Sequence, residues 1–143
     1  MVSGKVALRK PAAARTAQAK TWVPERQDVI WIDCNPQAGS EMRDLHPMLV
    51  LSPGAFNVRT GWVIGLPMTT AAYNATNSFA LAVGVTGSAG GGRKAGNTSY
   101  VLCHHPKSFG WQARGAKPHP LGKLADGVFL QACAVLNQII GVG

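Results

Sequence analysis

Residues 28–70 constrain the fold of this chain more than any other segment. They contain three short runs of apolar, β-branched or aromatic residues, at positions 29–32, 48–51 and 62–66. Runs of about four to eight such residues, bounded by Gly, Pro and Asn, predict β-strands rather than helices. The loop between the first two runs is rich in functional groups, and it carries Gly39, Ser40, Glu41, Arg43, Asp44 and His46. Because buried strands on either side would hold this loop in place, it is a favourable position for a functional site.

Two further runs, at positions 78–85 and 100–103, also predict strands. In the first run of the chain, Trp31 and Ile32 are adjacent apolar residues. This indicates that both faces of that strand are covered, as in a small closed barrel. Other segments predict connections, namely a short hairpin-like link at 57–61, a glycine-rich loop at 86–98 and a basic, turn-rich segment at 110–120.

Residues 126–140 predict the only convincing helix. Apolar residues recur there at the spacing of one helical face, and they are Val128, Ala132, Val135, Leu136 and Ile139. Asp126 is the expected N-cap, and Gly141 is the expected stop signal. Because no charged residue follows Asp126 within the segment, the helix is apolar on most sides and predicts a subunit interface. Together the elements predict a mainly β (α+β) domain with a C-terminal helix.

The composition favours one folded, basic domain. A hydrophobic fraction of 46% with 14% charged residues excludes a disordered chain, and 143 residues leave room for one domain. Of the net charge of +8, residues 1–20 contribute five basic and no acidic groups. A basic protein attracts polyanions, so nucleic acid is the expected partner class. We expect residues 1–21 to form a flexible basic arm, with a solubilising tail or an organelle transit peptide as alternatives.

The cysteines and the hydropathy bear on location. No segment is long and apolar enough to predict a membrane span. Cys34, Cys103 and Cys133 are odd in number and lack C-x-x-C spacing. This pattern predicts reduced thiols in a cytoplasmic protein and argues against a disulfide framework or a structural zinc site.

Five groups of residues occur in an order and spacing that resemble the MazF/PemK/Kid toxins. They are Gly39-Ser40-Glu41, residues 47–53 (PMLVLSP), Phe56-Asn57 with Thr60-Gly61, residues 66–70 (LPMTT), and Lys107-Ser108 with Trp111, Ala113, Arg114 and Gly115. The resemblance covers about residues 22–143, which we take as one toxin-like domain. It implies a small SH3-like, CcdB/MazF-type antiparallel β-barrel, partly open, with a C-terminal helix.

By this resemblance, the chain is expected to be a homodimeric endoribonuclease toxin of a type II toxin-antitoxin system. Such an enzyme cuts single-stranded RNA, including mRNA, at specific sequences without a metal or another cofactor. It thereby inhibits translation and growth. The RNA groove is expected to span the dimer interface, and a MazE-like antitoxin is expected to lay an acidic tail over it. No membrane partner is expected.

The expected catalytic residues are His46, Thr69 and Glu41. Most members of the family have an arginine where this chain has His46, immediately before the proline of the second strand. Arginine is a permanent cation, whereas imidazole titrates near pH 6.5 and can serve as an acid or a base. Our hypothesis is that His46 takes the acid–base role and that Arg43 supplies part of the lost positive charge. Thr69 and Glu41 match the family's active-centre threonine and loop glutamate, although from the residues alone they would be ordinary strand-end and loop residues.

The expected RNA-binding residues come from several segments, and they are Arg43, Asn57, Thr70, His104, His105, Lys107, Ser108, Trp111 and Arg114. In the Kid branch the position of His104 is an aspartate proposed as the base, so His104 could replace it. A metal site at His104-His105 is disfavoured because adjacent strand residues point to opposite sides and no third ligand accompanies them. Trp111 could stack on a base beside basic side chains or pack in the core.

A binding protein is the competing interpretation. An inactive relative that holds RNA, or a gyrase-poisoning relative similar to CcdB, would share every fold signal above, and His46 in place of arginine fits an inactive relative. The set of Glu41, His46 and Thr69 favours the nuclease, because those groups have a use in RNA cleavage and none in gyrase binding.

Overall fold

The computed structural model describes residues 21–35, 44–86 and 97–141. Three segments lie outside these ranges: residues 1–20 of the predicted arm, most of the loop carrying Glu41 and Arg43, and most of the glycine-rich segment. The strands are β1 (Asp28–Asp33), β2 (Leu45–Val50), β3 (Trp62–Thr69), β4 (Ala80–Thr86), β5 (Asn97–Leu102), β6 (Lys107–Gly110) and β7 (Lys117–Lys123). The helices are α1 (Gly54–Thr60), a 3-10 turn (Ala72–Thr76) and α2 (Asp126–Ile140).

The seven strands form one antiparallel, curled sheet. Six of them follow the order β4-β5-β3-β2-β1-β7, and β6 lies off this path. Strand β3 pairs with β2 along one edge, and along its other edge it pairs first with β6 and then with β5. Gly65 lies where β2 and β3 approach closely, and a Cβ atom there would overlap the Leu49 carbonyl oxygen. The predicted fold class, a small, partly open antiparallel β-barrel with a C-terminal helix, is confirmed, and the curled sheet forms a half-barrel.

Alternate residues of the strands enter two hydrophobic cores on opposite faces of the sheet, as the two-residue period of a strand requires. The helix-side core lies under α2 and consists of Val29, Leu49, Leu66, Met68, Val101, Cys103, Leu124, Phe129, Ala132 and Leu136. The turn-side core lies under the turn that follows β6 and consists of Ile30, Ile32, Cys34, Met48, Val50, Val63, Phe109 and Trp111. The first strand is therefore covered on both faces, as the pattern around Ile32 predicted.

The helix α2 has the predicted bounds, and Gly141 ends it in the left-handed conformation that glycine adopts without strain. The prediction for Asp126 is wrong. Ala125 occupies the N-cap, and Asp126 is the first helical residue, where its carboxylate accepts a hydrogen bond from Gln27 Nε2 at 2.8 Å. A carboxylate in the first turn is still favourable, because the helix dipole presents its positive end there.

Two predicted connections contain regular structure. Residues 57–61, predicted as a hairpin-like link, belong to α1 and to its left-handed stop at Gly61. Residues 110–120, predicted as turns, include the start of β7, whose Pro118 and Pro120 lack backbone donors. Prolines are tolerated there because, among the described strands, β7 pairs with β1 alone and so forms an edge of the sheet. In the described ranges no helix has the length and apolar character needed to cross a membrane.

Candidate functional site

His46 and Thr69 lie on neighbouring strands at the same end of the sheet. His46 is paired with Ile32 of β1, and Thr69 is paired with Tyr100 of β5. The β2–β3 register joins Met48 to Pro67, and continuing it by two residues sets His46 opposite Thr69. Directly opposite residues of antiparallel strands point to the same face. Both side chains therefore stand at the rim of the turn-side core, and both are half-buried.

The Thr69 hydroxyl keeps its donor capacity. Its oxygen accepts a hydrogen bond from the Ala71 backbone N–H at 3.2 Å. A hydroxyl has one hydrogen to donate and two lone pairs, so this bond occupies a lone pair and leaves the hydrogen able to reach a ligand oxygen. Thr70 follows directly and is also half-buried.

Lys107 brings positive charge to the same face. It pairs with Gly65, and Phe109, two residues further along β6, belongs to the turn-side core. The alternation of a strand therefore places Lys107 on the face of His46 and Thr69, whereas the exposed Ser108 is on the opposite face. Burial raises the pKa of the Cys34 thiol, and the charges of Arg114 and Lys107 oppose that rise. Both cations thus act near the end of β1.

Arg114 holds the base of the loop between β1 and β2. Its Nη1 donates to the Asp33 carbonyl oxygen at 2.9 Å and also to the Asn35 carbonyl oxygen. Its guanidinium lies 4.6 Å from the centre of the Phe109 ring. On the other side of the loop base, the Asn35 side-chain oxygen accepts from the Asp44 N–H at 2.9 Å. Arg114 therefore stabilises the base of the loop and also contributes positive charge at this rim.

His104 and His105 form an aromatic group with Phe79. The His104 and His105 ring centres are 4.0 Å apart, and those of His104 and Phe79 are 5.7 Å apart. Phe79 was not identified from the sequence. The sequence signals only a turn at this point, because Asn77 lies two residues earlier. The Asn77 side-chain oxygen accepts a hydrogen bond from the Phe79 backbone N–H at 3.0 Å.

Asn57 and Trp111 lie in the interior rather than at the rim. The Asn57 amide nitrogen donates to the carbonyl oxygens of Pro24 at 2.7 Å and Ser52 at 3.0 Å, and its side-chain oxygen accepts from Ser52 Oγ at 2.6 Å. Trp111 is 4% exposed, and its indole N–H donates to the Asn57 carbonyl oxygen at 2.8 Å. Of the two positions considered for Trp111, base stacking and core packing, its burial agrees with core packing. Neither Asn57 nor Trp111 is placed to contact RNA.

Glu41 and Arg43 lie outside the described residues, so their roles stay predictions. Among the residues that the structure does describe, no group of three or more His, Cys, Asp and Glu side chains is arranged to hold a metal ion.

Comparison with known proteins identifies relatives over most of the chain. The family model described as "PemK-like, MazF-like toxin of type II toxin-antitoxin system" matches residues 25–140. The endoribonuclease toxin MazF of Escherichia coli K12 is 32% identical over 120 residues, which cover 84% of this chain and 96% of the relative. The endoribonuclease PemK of Escherichia coli is 29% identical over 94 residues, 65% of each protein.

Solved structures agree with the sequence comparison. The crystal structure of MazF from Deinococcus radiodurans is similar to this chain, with a TM-score of 0.67 and 28% identity. It is matched over its whole length by 85% of this chain. A MazE-MazF structure from the same organism has a TM-score of 0.63 and 29% identity, with the same coverage.

Proposed function

Because this chain belongs to the PemK-like, MazF-like toxins of type II toxin-antitoxin systems, we propose that it is a metal-independent endoribonuclease that cuts single-stranded RNA at specific sequences. The observation that carries this proposal is the placement of His46 and Thr69 on one face at the rim of the turn-side core, beside the cation of Lys107. Relatives named as endoribonucleases support the reaction class.

The chemistry needs two proton transfers and stabilisation of a crowded phosphorus centre. The 2′-oxygen forms a bond to phosphorus as the bond from phosphorus to the 5′-oxygen breaks, giving a 2′,3′-cyclic phosphate and a 5′-hydroxyl. We assign one proton transfer to His46, with Glu41 as the candidate for the other. The Thr69 hydroxyl donates to a phosphate oxygen, and Lys107 with Arg43 supplies positive charge.

Several predicted RNA contacts remain part of the proposal. Thr70, His105 and Arg114 lie beside the catalytic group and can hold the strand through its phosphates and sugars. Asn57 and Trp111 are left out of this set because their polar atoms are bonded within the protein. Ser108 is left out because it is on the opposite face.

The proposed partners are a second copy of the chain and a small antitoxin. Large apolar side chains on α2 are exposed, namely Leu130, Ile139 and Ile140. Beside them is an apolar cleft of about 430 Å³ lined in part by Arg26, Leu51 and Leu136. Such a surface favours homodimerisation. The MazE-MazF structure of the relative supports an antitoxin partner, and a basic groove would accept an acidic tail. We place the system in the cytoplasm.

The test uses a long, defined RNA and the purified protein in excess EDTA, between about pH 5.5 and pH 8. We expect discrete cuts, with 5′-hydroxyl and cyclic-phosphate ends. The absence of cuts across this range would favour the binding protein instead. In that case, expression in growing cells separates the two binding interpretations, because RNA binding would impair translation first and gyrase binding would impair DNA supercoiling first.

A further inference from the structure

We propose that Phe79 and His104 form a stacking site for one base of the RNA strand, adjacent to the reacting phosphate. The inference rests on the proposed function, because it concerns how the same RNA is held. It assigns His104 a role in base binding rather than in proton transfer, and it adds Phe79, which no sequence signal placed at the site.

The two rings present an aromatic surface to solvent. Phe79 is 47% exposed, although it is a large apolar side chain. Its ring centre is 5.7 Å from that of His104, with 38° between the planes, and His105 packs edge-on against His104 at 4.0 Å. The separation of Phe79 and His104 lies within the range of about 4.5–7 Å that is typical of aromatic pairs. The described residues nearest to Phe79 leave part of its ring exposed to solvent.

The turn that carries His104 adjoins the strand of Thr69 because of how β3 changes partners. Residues 62–65 of β3 pair with β6, and residues 68–69 pair with β5. The turn joining β5 to β6 therefore lies beside residues 66–67, with Lys107 at one end of it and the strand reaching Thr69 at the other. An RNA strand held through its phosphates by Lys107 passes this turn on its way to Thr69.

A chain of hydrogen bonds fixes Phe79 relative to Thr69. Thr69 accepts from the Ala71 N–H, and the Ala71 carbonyl oxygen accepts from the Asn74 side chain at 3.1 Å. Asn74 in turn accepts from the Asn77 side chain at 3.1 Å, and Asn77 accepts from the Phe79 N–H at 3.0 Å. The Phe79 carbonyl oxygen accepts from the Cys103 N–H at 3.0 Å. The backbone that carries the ring is thus held in place before any ligand binds, which reduces the entropy cost of binding.

Aromatic contacts position the His104 ring. In the described part of the structure, Nδ1 of His104 is buried and has no hydrogen-bond partner. Its ring is positioned instead by contacts with Phe79 and His105. Single-stranded RNA is commonly held by stacking of bases on such rings, and this contact tolerates any base.

The experiment measures affinity separately from cleavage. The probe is a fluorescent RNA of the cleaved sequence with a single 2′-deoxy nucleotide at the cut position, because it lacks the attacking hydroxyl. We expect Phe79→Ala to weaken binding about tenfold, and Phe79→Tyr to retain native affinity. His104→Ala should weaken binding, and His104→Phe should restore most of the lost affinity because its ring still stacks. Phe56→Ala is the matched control, since it removes another partly exposed phenyl ring, on α1.

A scan with abasic sites locates the stacked base. When the base that contacts Phe79 is missing, Phe79→Ala should cause no further loss of affinity; at other positions the tenfold loss should persist. If Phe79→Ala and the native chain bind the intact probe with equal affinity, the stacking site is wrong and the proposed function is unaffected. Loss of cleavage in His104→Phe with retained binding also overturns this inference, because it returns proton transfer to His104. A native chain that neither binds nor cuts RNA overturns the proposed function as well. Thermal melting confirms that each variant is folded.

Discussion

The two faces of the sheet serve different purposes. The helix-side core is closed by Phe129, Ala132 and Leu136 of α2, and every member of it is apolar. The turn-side core has the same kind of interior, but its rim carries His46, Thr69 and charged side chains. Both cores therefore contribute to stability, and the edge of the turn-side core also holds reactive groups on rigid strands. Substitutions on the two faces should accordingly separate stability from activity.

The largest expected effect on stability is at the centre of the helix-side core. Phe129→Ala should lower the free energy of unfolding by about 3–5 kcal/mol, because it leaves a cavity between α2 and the sheet. Denaturant titration measures this. The fraction that remains folded should cut RNA at the native rate; a large loss of activity per folded molecule would contradict the separation of the two faces.

The next largest effect on stability is expected for Asn57→Ala, which should lower the free energy of unfolding by about 1–3 kcal/mol. The Pro24 carbonyl oxygen and the Ser52 groups would remain buried without their amide partner. Binding of the uncleavable RNA by the folded variant should equal that of the native chain. A weaker affinity at full folding would restore Asn57 to the RNA-contacting set.

Thr69→Val should slow cleavage by about tenfold, with little change in melting temperature, because it removes one hydrogen bond to the phosphate. Thr76→Val is the matched control, since its hydroxyl is exposed and, among the described residues, bonds to the Tyr73 carbonyl oxygen alone, at 3.2 Å. Single-turnover rates under metal-free conditions compare the two variants. Equal rates in both would remove Thr69 from the catalytic group.

The smallest effect concerns acid stability at the entry to the sheet. Hydrogen bonds from the Gly54 and Arg26 backbone N–H groups lower the pKa of Glu25 below its ordinary 4.5. A lowered pKa stabilises the fold above the unfolded value, and this contribution is lost as the pH falls from 4.5 through the folded-state value. Glu25→Gln should therefore melt slightly below the native chain at neutral pH, and the difference should vanish in acid. A difference that grows in acid would contradict this assignment.

Much of the architecture could be predicted from the sequence, but the contacts between segments could not. The core strands and α2 have strong apolar patterns, so their positions were predicted closely. By contrast, α1 has seven residues and β6 has four, too few for a clear period, and the prolines of β7 argue against a strand. The family resemblance supplied His46 and Thr69, yet their proximity depends on the β2–β3 register. The contact between Phe79 and His104 likewise depends on the pairing of β4 with β5, and no local pattern specifies such pairing.

The most direct test of this account is the dependence of cleavage on His46. Single-turnover rates in EDTA should be measured for the native chain, for His46→Ala and for Leu45→Ala, whose side chain is exposed on the same strand. The account predicts a rate at least about 100-fold lower for His46→Ala at an unchanged melting temperature, because general acid–base catalysis commonly contributes that much or more. Leu45→Ala should cut at the native rate. A His46→Ala rate within about threefold of the native rate would contradict the account and return the proton transfer to Arg43 or His104.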